Sequence, residues 1–296
     1  MKINVIFPGF LIGILIALLT ACGPEERISE QTYSLLRVGV LPDQHKDKLI
    51  KKYQPLFDFL SKETGIPVEF IPSDNYADLL SQIRNGRLDL FFLGGVTFVQ
   101  AYVEKAVQPL VMRNIDTRFT SYFLVRADHP AKDLKETRTQ VLGFGSKFST
   151  SGHYMPRYYL EQKSIVPEYF FKEIRYSGKH DLTALWVQNG KVDVGVANSN
   201  IVDAMLKSGE LDKNKIRVLW ETPPYSDYVW AVNNQMPQAL QTKVINAFLD
   251  LSLDQPDHRT ILEFLGAEYF LPANASEFQN LIRIYRSVHI PRKETQ

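Results

Sequence analysis

Residues 141–160 read VLGFGSKFSTSGHYMPRYYL. A short apolar run ends at Gly145, and three hydroxyl residues follow, Ser149, Thr150 and Ser151. Gly152 comes next, then a segment whose Tyr154, Tyr158, Tyr159 and Leu160 share one helical face. An apolar run bounded by glycine reads as a buried strand, and apolar residues three and four apart read as a helix. The stretch is therefore a strand, a polar turn and a helix. In open sheets built from such units, ligands bind beyond the carboxyl ends of the strands, where these turns lie.

The same grammar extends in both directions. Strands are expected at residues 35–41, 68–71, 88–93, 107–113 and 121–127. A helix over 47–64 carries Leu49, Tyr53, Leu56, Phe57 and Leu60 on one face and stops at Gly65. Asp74 is expected to cap a helix over 75–84, ended by Asn85-Gly86, and another helix fits 97–105. Beyond the quoted stretch, strands at 173–176, 192–197, 216–220 and 228–232 alternate with helices from His180 and over 200–207. Three amphipathic helices, near 237–251, 258–265 and 276–288, close the chain. Alternating strands and helices predict an α/β fold with mainly parallel sheets. The length of 296 residues suggests two modest domains.

Composition narrows the class. With 45% hydrophobic and 23% charged residues, collagen-like and disordered chains are excluded. A net charge of +1 offers no field for nucleic acid. The first 21 residues differ from the rest: Lys2 is the only charge before Glu25, and residues 5–19 are almost wholly apolar. A basic start, a short apolar core and small residues at the cut describe an export signal, shorter than the ~20 residues of a spanning helix. The ending Leu19-Thr20-Ala21-Cys22 resembles the lipobox of bacterial lipoproteins. That resemblance implies cleavage before Cys22, lipid on its sulfur, and residues 22–34 as a tether. Such a protein works in the cell envelope, where ATP and NAD(P)H are not supplied.

Four strand-to-helix turns form the expected working surface: Asp74-Asn75-Tyr76, Gly94-Gly95-Val96-Thr97, residues 146–152 and residues 177–181. A helix start exposes unpaired N–H groups and about half a positive charge, so hydroxyls placed there suit an anion. One hydroxyl would be a plain helix cap; three exceed what capping needs. His180 adds an imidazole to the fourth turn, although a lone histidine is as readily structural. Rival chemistry lacks support: there is no third glycine for a dinucleotide fingerprint, no Walker loop and no H-x-x-x-H pair for zinc. The residues leave open a hydrolase using Ser149, His180 and Asp181, though Asp181 is better placed to favour the helix start than to orient its neighbour. No cofactor or metal is expected.

The stretch FGSKFSTSGHYMPRYYL resembles the S-x-x-S-T-S-G…P signature of phosphate/phosphite/phosphonate-binding proteins of ABC importers. The blocks DNYADLLSQIRNGRLDLFFLGG, YSGKHDLTALWVQNGKVDVGV and VLWETPPYSDYVW agree in order. The phrases RNIDTRFTSYFLV and TPPYSDY are similar to a branch described as selenate-binding. The resemblance implies a two-lobed periplasmic-binding-protein fold of the type II, venus-flytrap kind. Lobe one would take residues 35–122 and 228–288, lobe two 125–222, with hinge crossings near Phe123 and Tyr225 and a tail at 289–296. It implies ligand contacts from Ser149, Thr150, Ser151, His180 and Tyr76, and a donor at Ser121 or Tyr122. Gly95 and Thr97 of the second turn would close over the ligand. Asn198 and Asp227 stand where relatives that bind aminoalkylphosphonates hold an amine. The single acid there favours a simple oxyanion, and Lys179, if it faces the cleft, a more highly charged one. The expected function is capture of a small oxyanion by a monomeric, lipid-anchored protein and delivery to an ABC permease. A sensing lipoprotein for a membrane partner is the alternative, and an envelope hydrolase a further one.

Overall fold

The structure, a computed structural model, describes Met1 and residues 33–287. The expected signal peptide, Cys22 and the tail at 289–296 lie outside the described residues. The chain opens with β1 (Leu36–Val40), α1 (Lys46–Thr64), β2 (Val68–Phe70), α2 (Tyr76–Arg84), β3 (Leu90–Leu93), α3 (Gly95–Val103) and β4 (Val107–Arg113). It continues with β5 (Ser121–Arg126), β6 (Val141–Phe144), α4 (Met155–Gln162), α5 (Pro167–Phe170), β7 (Glu173–Tyr176), α6 (His180–Gln188), β8 (Val194–Asn198), α7 (Ser199–Ser208) and β9 (Ile216–Glu221). It ends with β10 (Val229–Asn233), α8 (Gln238–Leu249), α9 (Pro256–Leu265), β11 (Phe270–Pro272) and α10 (Gln279–Ser287).

The strands form two sheets. One has six strands in the order β11-β4-β10-β3-β1-β2, the other five in the order β7-β6-β8-β5-β9. β1 pairs in parallel with β2 and β3 because a helix returns the chain across the face each time. β6 pairs in parallel with β7 and β8 for the same reason. β10 runs antiparallel to β3 and β4, and β5 antiparallel to β8 and β9. The sheets are thus mixed rather than mainly parallel. The departure arises at strands next to the crossings, which arrive from the other lobe and not from a βαβ return.

The crossings lie side by side. Phe119 N–H donates to Tyr225 O at 2.7 Å, and Tyr225 N–H to Phe119 O at 3.0 Å. The first crossing is pinned by a buried ion pair, Arg113 Nε to Asp116 Oδ2 at 2.7 Å and Nη2 to Oδ1 at 2.6 Å. The crossing ends before Ser121, earlier than expected: Phe123 sits in the middle of β5. Ser121 and Tyr122 therefore belong to the second sheet, not to lobe one. Around the first sheet, Trp230 is fully buried and touches Tyr53, Phe92 and Phe248. Each such side chain contributes about 1.5–3 kcal/mol by leaving water.

Three local differences bear on function. Asn75, not Asp74, caps α2, accepting from Asp78 N–H at 3.0 Å. α3 starts at Gly95 rather than Thr97, so the Gly95 amide is a helix-start donor without an intrahelical partner. Before α4 the chain makes a π-turn over Thr150–Tyr154, a wide turn typical of functional sites. The short α5 and β11 carry too few residues for periodicity to reveal them.

Candidate functional site

β6 delivers the chain to the hydroxyl turn. Ser149 caps it, its Oγ accepting from Gly152 N–H at 2.9 Å. Gly152 is obligatory: a Cβ there would lie 2.8 Å from His180 Cε1 and 3.0 Å from Ser149 Oγ. His180 starts α6 and is fully buried. Its Nδ1 accepts from Asn198 N–H at 3.1 Å. Burial lowers its pKa to about 4, so the ring is neutral at neutral pH and its proton resides on Nε2. Nε2–H points at Ser149 Oγ, 3.3 Å away.

Lobe one closes over this pair. Val96 N–H donates to Thr150 Oγ1 at 2.9 Å, and Gly95 N–H donates to Asp227 Oδ1 at 2.8 Å. Among the described residues eight buried side-chain polar atoms have no partner, and four of them belong to residues of these turns or to Asp227: Tyr76 Oη, Thr97 Oγ1, Ser151 Oγ and Asp227 Oδ2. Tyr76 lies beside Ser149, and Ser151 beside Asp227, but neither contact has hydrogen-bond geometry. Leaving a buried polar group unmade costs about 1–3 kcal/mol, which makes these turns the candidate place for another molecule's polar atoms. Burial raises the pKa of Asp227 to about 7, against the lowering effect of the Gly95 amide and the nearby Thr150 and Ser151 hydroxyls.

Three expected ligand contacts are committed elsewhere. Ser121 Oγ donates to Ser151 O at 2.7 Å and also meets Tyr225 Oη, so it holds the hydroxyl turn in place. Tyr122 reaches Asp203 at 3.3 Å instead of the site. The Asn198 amide caps α7 through Ile201 N–H at 3.0 Å and donates to Tyr228 Oη at 3.0 Å. Lys179 lines a cavity of about 520 Å³ with Asp74, Asn75 and Ser177, at the mouth between the lobes. At that rim Asp181 accepts from His45 N–H at 3.1 Å, and Lys48 bridges Asp181 and Glu210. Asp43 and Tyr228 went unassigned in the sequence. Asp43 follows β1 in the same strand-to-helix position as the other four turns, the signal that would have marked it.

The hydrolase geometry is absent here. With Nδ1 taken by an amide, the Nε2 facing Ser149 carries the proton and cannot accept one, and Asp181 bonds His45 and Leu182 amides rather than the imidazole. Among the described residues no cluster of His, Cys, Asp or Glu is arranged to hold a metal ion, and no helix is long and apolar enough to cross a membrane.

Residues 38–278 match the family model described as ABC transporter, phosphonate, periplasmic substrate-binding protein. A probable ABC transporter phosphite binding protein, PhnD1 of Prochlorococcus marinus (strain MIT 9301), is 31% identical over 86% of this chain and 90% of its own. The structure of PhnD1 with methylphosphonate superposes with a TM-score of 0.81 at 30% identity, covering 86% of this chain and 97% of that one. The phosphate-import protein PhnD of Mycolicibacterium smegmatis (strain ATCC 700084 / mc(2)155) is 28% identical over 76% of this chain and 74% of its own.

Proposed function

The chain belongs to the family of ABC transporter periplasmic phosphonate-binding proteins, two-lobed substrate-capture components and not enzymes, and from that premise we propose that it captures a singly protonated phosphorus oxyanion, phosphite or a small phosphonate. The observation that carries this is the set of unpartnered buried atoms contributed by both lobes, Tyr76 Oη, Thr97 Oγ1, Ser151 Oγ and Asp227 Oδ2. Three of the four are hydroxyl donors, and Ser149 O–H, whose oxygen accepts from Gly152 N–H and faces His180 Nε2–H, is a fourth donor. The fifth group, Asp227, is a carboxyl in an anion site.

That carboxyl selects by protonation. With its pKa raised to about 7, Asp227 is part ionised near neutral pH, and in that form it accepts a hydrogen bond only from an oxyanion that keeps a proton. Phosphite and alkylphosphonates lose their second proton near neutral pH and so can enter as the protonated monoanion; selenate and sulfate are fully ionised there and would face an ionised Asp227 as like charge. In its ionised form Asp227 thus argues against the selenate reading. Each bond to a charged group nets about 1.5–3 kcal/mol. Four or five of them, less the cost of closing the lobes, give roughly micromolar affinity or better. The ligand is drawn to the lobe-two helix starts first. Lobe one then brings Tyr76 and the Gly95 turn over it, and the closed form is the one that the permease meets.

The anchor is part of the proposal. Leu19-Thr20-Ala21-Cys22 supports lipid on Cys22, which would hold the monomer at the membrane surface near its permease. A Cys22→Ser variant is expected in the soluble envelope fraction without lipid. For the ligand, calorimetry with phosphite, methylphosphonate, phosphate, selenate and sulfate on the secreted chain is the test. Phosphite or methylphosphonate is expected tightest; tighter selenate or sulfate would overturn the assignment.

A further inference from the structure

Behind the imidazole that faces Ser149, four hydrogen bonds close a ring through both lobes. His180 N–H donates to Asp43 O at 3.0 Å. His180 Nδ1 accepts from Asn198 N–H at 3.1 Å. Asn198 Nδ2–H donates to Tyr228 Oη at 3.0 Å, and Tyr228 O–H donates to Asp43 Oδ2 at 2.9 Å. Asp43 and Tyr228 adjoin strands of the first sheet, whereas His180 and Asn198 adjoin strands of the second. All four are buried, none more than 6% exposed.

Two of the four bonds cross between the lobes, so the ring is complete only when the lobes meet. Its members are interdependent. Tyr228 Oη must accept from Asn198, and its proton then has one direction, toward the Asp43 carboxylate. Asn198, so held, keeps its backbone N–H on Nδ1 of His180, which leaves the imidazole proton on Nε2, the side that faces Ser149. On the far side, Asp43, Tyr228 and Asn198 line a separate cavity of about 140 Å³ with Lys52 and Arg113; burial raises the pKa of Asp43, and these two positive charges oppose that rise. We infer that Asp43 and Tyr228 are positioning residues which couple lobe closure to the tautomer and aim of His180, so that the Nε2–H donor which orients Ser149 at the anion site is set only in the closed protein. The inference rests on the oxyanion reading above and adds residues outside the ligand's contacts.

Tyr228→Phe removes one oxygen from the ring and keeps the aromatic packing. Its predicted effect is a loss of about tenfold in affinity for phosphite or methylphosphonate, whichever the wild type binds better. The ¹⁵N spectrum of His180, read at saturating anion, should change from a single Nε2–H tautomer to a mixture. Asp43→Asn can still accept from Tyr228 and should restore most of the affinity that Asp43→Ala loses. Unchanged affinity in Tyr228→Phe and Asp43→Ala would overturn the inference. So would weakened affinity with a wild-type His180 spectrum, since the role would then be structural only. If Tyr228→Phe does not fold, the Asp43→Asn and Asp43→Ala pair decides by the same two readings. Failure of the wild type to bind either anion would instead remove the oxyanion reading, and the inference with it.

Discussion

Ser149, Thr150 and Ser151 are neighbours with three different tasks. Ser149 caps its own turn, Thr150 accepts an amide from lobe one, and Ser151 keeps its hydroxyl unpartnered. A plain helix cap would account for the first alone. Ser149→Ala removes the cap and the oxygen beside His180; Thr150→Ala removes the contact to Val96. Each is expected to weaken the best anion at least about tenfold by calorimetry, a 1.4 kcal/mol effect. At Asp227, substitution by Asn keeps Oδ1 for Gly95 and turns the unpartnered acceptor into a donor. Asp227→Asn should therefore bind sulfate or selenate more tightly relative to phosphite than wild type does, as read from the ratio of dissociation constants. Acid stability follows from His180. Its pKa falls from 6.5 to about 4 on burial, so its contribution is present above pH 6.5 and is lost as pH drops through about 4. Asp227, raised from 3.8 to about 7, has the opposite sign: its contribution is full below pH 3.8 and is lost as pH rises toward 7. His180→Gln should accordingly lose less melting temperature than wild type between pH 6.5 and 4.

At the scale of elements, the junctions matter more than the helices they begin. The β6-to-α4 connection is held from inside by Gly152 and from behind by Ser121, whose hydroxyl bonds the Ser151 carbonyl. Gly152→Ala forces either the imidazole or the Ser149 oxygen to move, because the added carbon would sit within 3.0 Å of both. The expected result is loss of anion-induced thermal stabilisation together with a lower melting temperature, measured by thermal shift with and without phosphite. The repeating turns at strand ends were legible in the sequence, since glycine, hydroxyl and amide residues interrupt apolar runs there. The partners that Ser121, Tyr122 and Asn198 take up are not legible in that pattern. Position along the chain shows that a polar side chain is near a strand end, but its partner comes from a distant segment, such as Tyr225, Asp203 or Tyr228.

For the whole molecule, closure joins the rim as well as the interior. Lys48 of α1 meets Asp181 and Glu210 across the mouth, with Lys48 39% exposed and Glu210 34% exposed at their side chains. Partly exposed pairs of this kind are worth about 0–1 kcal/mol and are screened by salt. Lys48→Met should weaken anion binding by no more than about fivefold, and that difference should shrink at high ionic strength. Composition, the export-like start, the α/β grammar and the hydroxyl turn could be read from the chain alone, because they depend on local propensity and on spacing within one segment. The mixed strand order, the place of the first crossing before Ser121, the Asp43–Tyr228–Asn198–His180 ring and the unpartnered Oδ2 of Asp227 could not. They depend on which remote segments meet when two lobes fold and close, and a buried polar atom acquires its role from the partner it finds or lacks there.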